Sequence, residues 1–404
     1  MSSDLTPNVS SNLLQLASRL DHIEPFHVME LAKMAADLER QGRHIIHMGI
    51  GEPDFTAAQP VVDAAMRAMT AGRMQYTLAT GLPELRAAIS AYYLNTYGVD
   101  VAPSRIVVTA GASAALLLAC AALVEKDAEV LMSDPSYPCN RHFVAAFDGH
   151  AKMIASGPEH RFQLSDDMVQ AHWSAQTRGV LLASPSNPTG TSITEDELRK
   201  IVATVRARRG FTIVDEIYNG LRYDATPFSA LSLGDDVIVI NSFSKYFNMT
   251  GWRLGWLVVP ETLVPAIEKL AQNLFICPST IAQHAGLACF APESIAIYEA
   301  RKAEFKRRRD YIVPALQELG FKVPVMPDGA FYVYADCSAL SDDADRLTID
   351  ILNEAGVVMV PGLDFGPYTA RQYIRVSYAT SMENLQEAVA RLKTFFEKRR
   401  AAAL

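Results

Sequence analysis

Short apolar runs separated by helix-period stretches occupy most of the chain between residues 50 and 290. The runs at 106–109, 129–133, 179–183, 211–214, 237–240 and 254–258 are predicted strands, several of them apolar throughout rather than alternating. Uninterrupted apolar strands are expected where both faces of a sheet are covered. Interleaved with helices, they predict a mostly parallel sheet in a three-layer α/β/α domain. Upstream, polar residues 1–12 read as an arm, and a helix-period stretch at 28–40 leads to a short buried strand at 45–48. The texture changes after about residue 290. A long charged amphipathic stretch (292–319), isolated strands (330–335 and 373–377) with a helix between them, and a last helix (382–400) form a smaller α+β domain. The expected division is 1–45 as arm and helix contributing to the small domain, 46–290 as the large domain, and 291–404 as the small one.

The chain has 404 residues, half of them apolar and 20% charged. That is enough for two or three domains of roughly 150 residues, and it excludes a disordered chain. The balance of 37 basic and 45 acidic residues leaves a net charge of −8, which argues against nucleic acid or an anionic membrane as the partner. Five cysteines, Cys120, Cys139, Cys277, Cys289 and Cys337, form no CxxC pair and read as reduced. The longest apolar run, 114–124, falls short of the ~20 residues that span a bilayer. With no basic residue before Arg19 and no apolar leader, a cytoplasmic location is expected.

Several motifs carry little. His44-x-x-His47 lacks Cys or carboxylate partners on its β-like segment, so a structural reading outweighs a metal site, and no metal is expected. Gly49-x-Gly51 follows a strand but lacks the third glycine of a dinucleotide loop, which leaves a nicotinamide dehydrogenase remote. The basic runs near 306–309 and 398–400 lie on amphipathic helices and read as solvated faces.

The informative stretch lies between 184 and 255. Ser184-Pro185-Ser186-Asn187-Pro188-Thr189-Gly190, Asp215-Glu216 and Ser242-Phe243-Ser244-Lys245 each follow a predicted strand, and Gly251-Trp252-Arg253-Leu254-Gly255 comes shortly after. Ligands of open α/β sheets bind at the carboxyl ends of strands. An amide, a carboxylate, an amine with two hydroxyls and a guanidinium would meet there. Together these residues resemble the core signature of class I/II aminotransferases, fold-type I enzymes that use pyridoxal 5′-phosphate. The resemblance, nearest the aspartate/aromatic subgroup, extends from Gly49-Ile50-Gly51-Glu52-Pro53-Asp54-Phe55 to Tyr373-Ile374-Arg375-Val376-Ser377-Tyr378.

The resemblance implies a role for each matching residue. Lys245 would form the Schiff base with the cofactor aldehyde and then shuttle the substrate's α-proton. Asp215 would hold the pyridine nitrogen protonated, and Tyr218 and Asn187 would reach the phenolic oxygen. Asn187 also suits an ordinary Asn-Pro turn. Arg253, Ser242, Ser244 and the helix start Gly111-Ala112-Ser113 would take the phosphate, although the small residues suit close packing equally. Tyr137 falls where the family stacks an aromatic ring on the pyridine, and packing in a turn is the alternative. Arg375 and Gly51 match the α-carboxylate site, and Asn187 is implied there as a substrate-binding residue too. Tyr76 matches a tyrosine that reaches the phosphate of the neighbouring subunit, so a homodimer with shared active sites is implied.

The expected activity is amino transfer between an L-amino acid and a 2-oxo acid. A carbon–sulfur β-lyase on the same scaffold is the alternative, and a non-catalytic binder of the cofactor a remote one. Ser113 stands where related aspartate aminotransferases can carry a lysine for the distal carboxylate. Neutral or aromatic donors are therefore expected over aspartate.

Overall fold

The computed structural model describes residues 16–25 and 27–402; the predicted arm at 1–12 lies outside them. Twelve strands are present among the described residues: β1 (Ile46–His47), β2 (Ile106–Thr109), β3 (Glu129–Asp134), β4 (His150–Ala155), β5 (Thr177–Ala183), β6 (Phe211–Asp215), β7 (Ile238–Ser242), β8 (Gly255–Val258), β9 (Tyr332–Asp336), β10 (Val357–Val358), β11 (Val360–Pro361) and β12 (Tyr373–Ser377). Seven of them form one sheet in the order β2-β8-β7-β6-β5-β3-β4. Only β8 runs against the rest. The mostly parallel sheet expected from the apolar runs is therefore present.

Those runs are apolar throughout because successive residues face two different cores. Val180 and Leu182 enter one cluster and Leu181 the other; Val214 and Ile213 divide in the same way. The helix Gly111–Leu123 is apolar nearly all round because it is sandwiched between the sheet and the helix Val264–Leu274. Edge strand β4 was not among the predicted strands. Most of its side chains are partly exposed, so it lacks the apolar run that marks its neighbours.

The C-terminal part contains the antiparallel sheet β11-β12-β9 and the helices Pro292–Leu319, Ala344–Ala355 and Met382–Ala402. The N-terminal helix His27–Arg40 joins it, with Leu31 and Ala35 packed on Leu352 and Val358. β1 pairs in parallel with β10, Ile46 opposite Val357. Residues 46 and 47 thus bond to the C-terminal unit, not to the seven-stranded sheet. Among the described residues no helix is long and apolar enough to cross a membrane.

Candidate active site

Because β2, β3, β5, β6 and β7 are parallel, Thr109, Asp134, Ala183, Asp215 and Ser242 all end on one edge of the sheet. β8 returns antiparallel, with Gly255 opposite Ser242, so the intervening segment 243–254 is also held at that edge. A cavity of about 420 Å³ opens there, between the sheet, the N-terminal helix and the turn at 362–365. Its wall includes Gly51, Ala112, Ser113, Tyr137, Asn187, Asp215, Tyr218, Ser242, Ser244, Lys245, Arg253 and Arg375. Of the residues given a cofactor or substrate role in the sequence analysis, only Gly111 and Tyr76 are not in that wall.

One end of the cavity suits an anion. The N-cap Ala110 offers no side-chain oxygen, so the first N–H groups of the helix Gly111–Leu123 have no side-chain cap. Gly111 has φ +80°, and a Cβ there would lie 2.5 Å from Arg253 Nη2. Only glycine lets the guanidinium approach so closely. Arg253 itself is left-handed, at φ 53°, a conformation that costs a non-glycine residue free energy and is held here by side-chain contacts. Its Nη1 donates to the Thr250 carbonyl at 3.0 Å and to Ser244 Oγ at 3.5 Å. Ser242 Oγ donates to Ser244 Oγ at 2.9 Å and receives the Ser244 N–H at 3.0 Å.

At the centre, Lys245 Nζ donates to the Gly51 carbonyl and lies 5.7 Å from the centre of the Tyr218 ring. Burial pushes the amine down to about 8; Glu52 and Asp215 oppose that shift, and Arg375 and Arg253 reinforce it. Asp215, 5% exposed, accepts the Ile217 N–H at 3.0 Å. Burial pushes its carboxyl up to about 7, against that hydrogen bond and the charge of Lys245. Tyr218 and Tyr332 share a buried hydroxyl pair at 2.8 Å. Burial, and then the neighbouring Tyr332, raise the Tyr218 phenol well above its usual value, so it remains a donor. Tyr137 caps the helix Pro138–Ala145, and its hydroxyl accepts the Cys139 thiol at 3.3 Å.

Arg375 projects from β12, far along the chain from the other groups. Its Nη1 donates to Asn187 Oδ1 at 2.8 Å and its Nη2 to the Gly49 carbonyl at 2.6 Å, while the buried Nε has no partner. The guanidinium lies 4.7 Å from the Tyr332 ring centre and 4.9 Å from that of Phe365. A Cβ on Gly51 would lie 3.1 Å from the Tyr332 hydroxyl. Sequence reasoning missed Tyr332, Phe365 and the cavity-facing residues Val28, Met29 and Ala32. None sits in a motif, and the only available signal was that Tyr332 lies in a predicted strand.

The weak motifs resolve structurally. His47 reaches the cavity wall but pairs with Glu39 at 2.8 Å, while His44 faces Arg391 at 3.0 Å, so the two histidines do not converge. Residues 49–51 turn carbonyls, not amides, toward Arg375 and Lys245, and the next helix begins only at Gln59. That geometry is the reverse of a dinucleotide loop. Tyr76 is 80% exposed and does not reach the cavity of its own chain; Met66, Met69, Met74 and Leu78 in the same stretch are also exposed.

The donor set fits pyridoxal 5′-phosphate in three respects. The uncapped helix start with Arg253 and two serines suits the phosphate, the buried Asp215 suits a protonated ring nitrogen, and the Lys245 amine suits the aldehyde. Comparison with known proteins points the same way. The family model for aminotransferase class I and II matches residues 43–392. The valine–pyruvate aminotransferase of Mycobacterium tuberculosis is 37% identical, over 92% of this chain and 96% of that protein. The (5-formylfuran-3-yl)methyl phosphate transaminase of Methanocaldococcus jannaschii is 35% identical, over 95% of this chain and 100% of that one. A crystal structure of an aminotransferase from Mycobacterium tuberculosis superposes with a TM-score of 0.92 at 36% identity, covering 96% of this chain and 100% of that one.

Proposed function

The chain belongs to aminotransferase class I and II, pyridoxal-phosphate-dependent enzymes that move an amino group between an amino acid and a 2-oxo acid, and from that premise we propose which residues do the work and on which substrates. The relatives bear aminotransferase or transaminase names, which favours transamination over β-elimination or non-catalytic binding. When bound, the cofactor supplies an electron sink for the carbanion at the substrate's Cα.

Lys245 is the attachment amine and the base. An amine pushed down to about 8 is partly neutral at physiological pH, and Nζ in that form can take the proton from Cα. Asp215 keeps the ring nitrogen protonated. Tyr218 and Asn187 would hold the ring through its phenolic oxygen, with Tyr137 beside it in the cavity wall. Arg253, Ser242, Ser244 and the N–H groups of Gly111, Ala112 and Ser113 hold the phosphate. Arg375 receives the substrate carboxylate, with Gly51 leaving room beside it; its partnerless Nε and two anchored Nη atoms are the observation that supports this assignment.

The cations in the cavity wall are Lys245, Arg253 and Arg375, with His47 paired to Glu39. Each has a task or a partner, and much of the remaining wall is apolar: Val28, Met29, Ala32, Ile50, Val358 and Phe365. Ser113 adds no charge. The donors are therefore neutral, with aliphatic or aromatic side chains, a reading that the valine–pyruvate relative supports. The exposed Met66, Met69, Met74, Tyr76 and Leu78 form the seam of a homodimer in which Tyr76 reaches the partner's phosphate site. We place residues 49–290 in the cofactor-binding domain and 27–48 with 291–402 in the smaller one, since β1 pairs with β10, and the five free cysteines agree with a cytoplasmic location.

The test is a half-reaction screen. The purified holoenzyme is mixed with each amino acid, and the loss of its visible absorbance is followed. Valine, leucine or phenylalanine should react with higher kcat/KM than aspartate or glutamate; a clear preference for the dicarboxylates overturns the substrate reading. Borohydride should fix the cofactor on the peptide containing Lys245, and label on another lysine would sink that assignment.

A further inference from the structure

The turn Gly362–Phe365 and the residues after it touch three parts of the molecule at once. The Val28 N–H, at the start of the N-terminal helix, donates to Asp364 Oδ2 at 2.9 Å. Arg141, on the helix Pro138–Ala145, donates to the Asp364 carbonyl at 3.3 Å. The Ser136 N–H donates to the Phe365 carbonyl at 2.9 Å, and the Tyr368 N–H to Asp134 Oδ2 at 3.1 Å. Phe365, held between these bonds, lies 4.9 Å from the Arg375 guanidinium.

Asp134 is the unusual member. It ends β3 and is 2% exposed, and its second oxygen, Oδ1, has no hydrogen-bond partner. A Cβ built on Gly366 would fall 2.0 Å from that oxygen, so the carboxylate presses directly on the Gly366 backbone. Gly366 also has φ +145°, a conformation other residues avoid. Burial pushes the Asp134 carboxyl up to about 6, against the Tyr368 N–H and Arg141, so it is still charged at neutral pH. A buried charge with one oxygen unbonded is costly, and the groups that relieve it are the Tyr368 N–H and the charge of Arg141.

We propose that Asp134 is a positioning residue for the substrate-carboxylate site: seated against Gly366 and bonded to the Tyr368 N–H, it clasps the 362–368 turn so that Phe365 is fixed against Arg375. Asp134 touches neither Arg375 nor the central lysine in the contacts described above; it acts through the turn. The inference rests on the reading of Arg375 as the carboxylate's partner. It adds that the affinity of this arginine for substrate is set from across the cavity, by the end of a strand in the large sheet. Gly366 is the matching half, because no other residue leaves room for the clasp.

The test uses holoenzyme bearing Asp134→Ala, Asp134→Asn or Gly366→Ala. Asp134→Ala removes the acceptor, Gly366→Ala pushes the clasp apart from the other side, and Asp134→Asn keeps an oxygen for the Tyr368 N–H. The half-saturation for the amino donor should rise roughly tenfold or more in the first and third variants, the scale of a lost hydrogen bond to a charged group. It should stay within about threefold of wild type in Asp134→Asn, and all three should keep the cofactor's absorbance and midpoint of release. Hydrogen exchange at amides 362–368 should accelerate in Asp134→Ala and Gly366→Ala and remain slow in Asp134→Asn. An unchanged half-saturation in a folded Asp134→Ala or Gly366→Ala overturns the clasp, as does parallel loss of cofactor. If either variant does not fold, the other and Asp134→Asn decide by the same two readouts. Failure of the wild-type enzyme to react with any amino acid would instead count against the proposed function, which the exchange measurement does not depend on.

Discussion

In Asp215→Asn the buried carboxylate at the end of β6 becomes a neutral amide of nearly the same shape. The carboxyl is pushed by burial from an ordinary 3.8 to about 7, with the Ile217 N–H and Lys245 relieving only part of the cost. Below about pH 4 the group is protonated in both the folded and the unfolded chain, and burying it carries no charge penalty. Between about pH 4 and 7 the unfolded chain gives up the proton while the folded chain keeps it. The folded state is therefore destabilised progressively, and fully above about pH 7. A rise of about three pH units corresponds to roughly 4 kcal/mol. That rise already includes the relief from Lys245, so a net gain of roughly 4 kcal/mol is expected in the cofactor-free protein at pH 8. Catalysis should move the other way: without a carboxylate at the ring nitrogen, turnover should fall by at least ~10²-fold. Urea unfolding of both cofactor-free proteins at pH 5, 6.5 and 8 reads the first effect, and steady-state assays the second. A variant no more stable than wild type at pH 8, or a stability gap that does not widen from pH 5 to 8, refutes the electrostatic argument. Near-normal turnover would show that Asp215 is only structural.

Three further outcomes are expected. Lys245→Ala should bind cofactor and show no turnover, measured in the same half-reaction assay. Arg375→Lys should raise the half-saturation for amino donors by about 10²-fold with the cofactor spectrum unchanged, because an ammonium cannot reproduce the anchored fork. Mixed dimers of Lys245→Ala and Tyr76→Ala should regain one wild-type-like site and about half the activity per dimer, since one site collects both defects; purified mixed dimers with weak cofactor at every site would place Tyr76 within its own subunit.

Much of the chemistry was legible along the chain because it is local. Asn187, Asp215, Ser242 and Lys245 each lie at or just beyond the end of a strand that a continuous apolar run announces, and parallel strands carry such ends to one edge. Arg253 reaches the same edge because β8 doubles back beside β7, a reversal that the spacing allowed but did not specify. Edge strand β4 escaped notice because most of its side chains are partly exposed, so it carries no continuous apolar run.

The remainder depended on contacts between distant parts of the chain. Tyr332 meets Tyr218 across 114 residues, and Arg375 meets Asn187 across 188 and Gly49 across 326. Asp134 and Gly366 look like an ordinary strand end and an ordinary loop glycine until one is set against the other. The sequence alone determined the alternation of strands and helices, the cofactor chemistry and the family. The tertiary structure decided which aromatic and aliphatic side chains wall the substrate, and what holds the carboxylate site in place. Periodicity and motifs record what each residue needs from its near neighbours, whereas a cavity wall forms only when separate elements pack, and no local spacing encodes that packing.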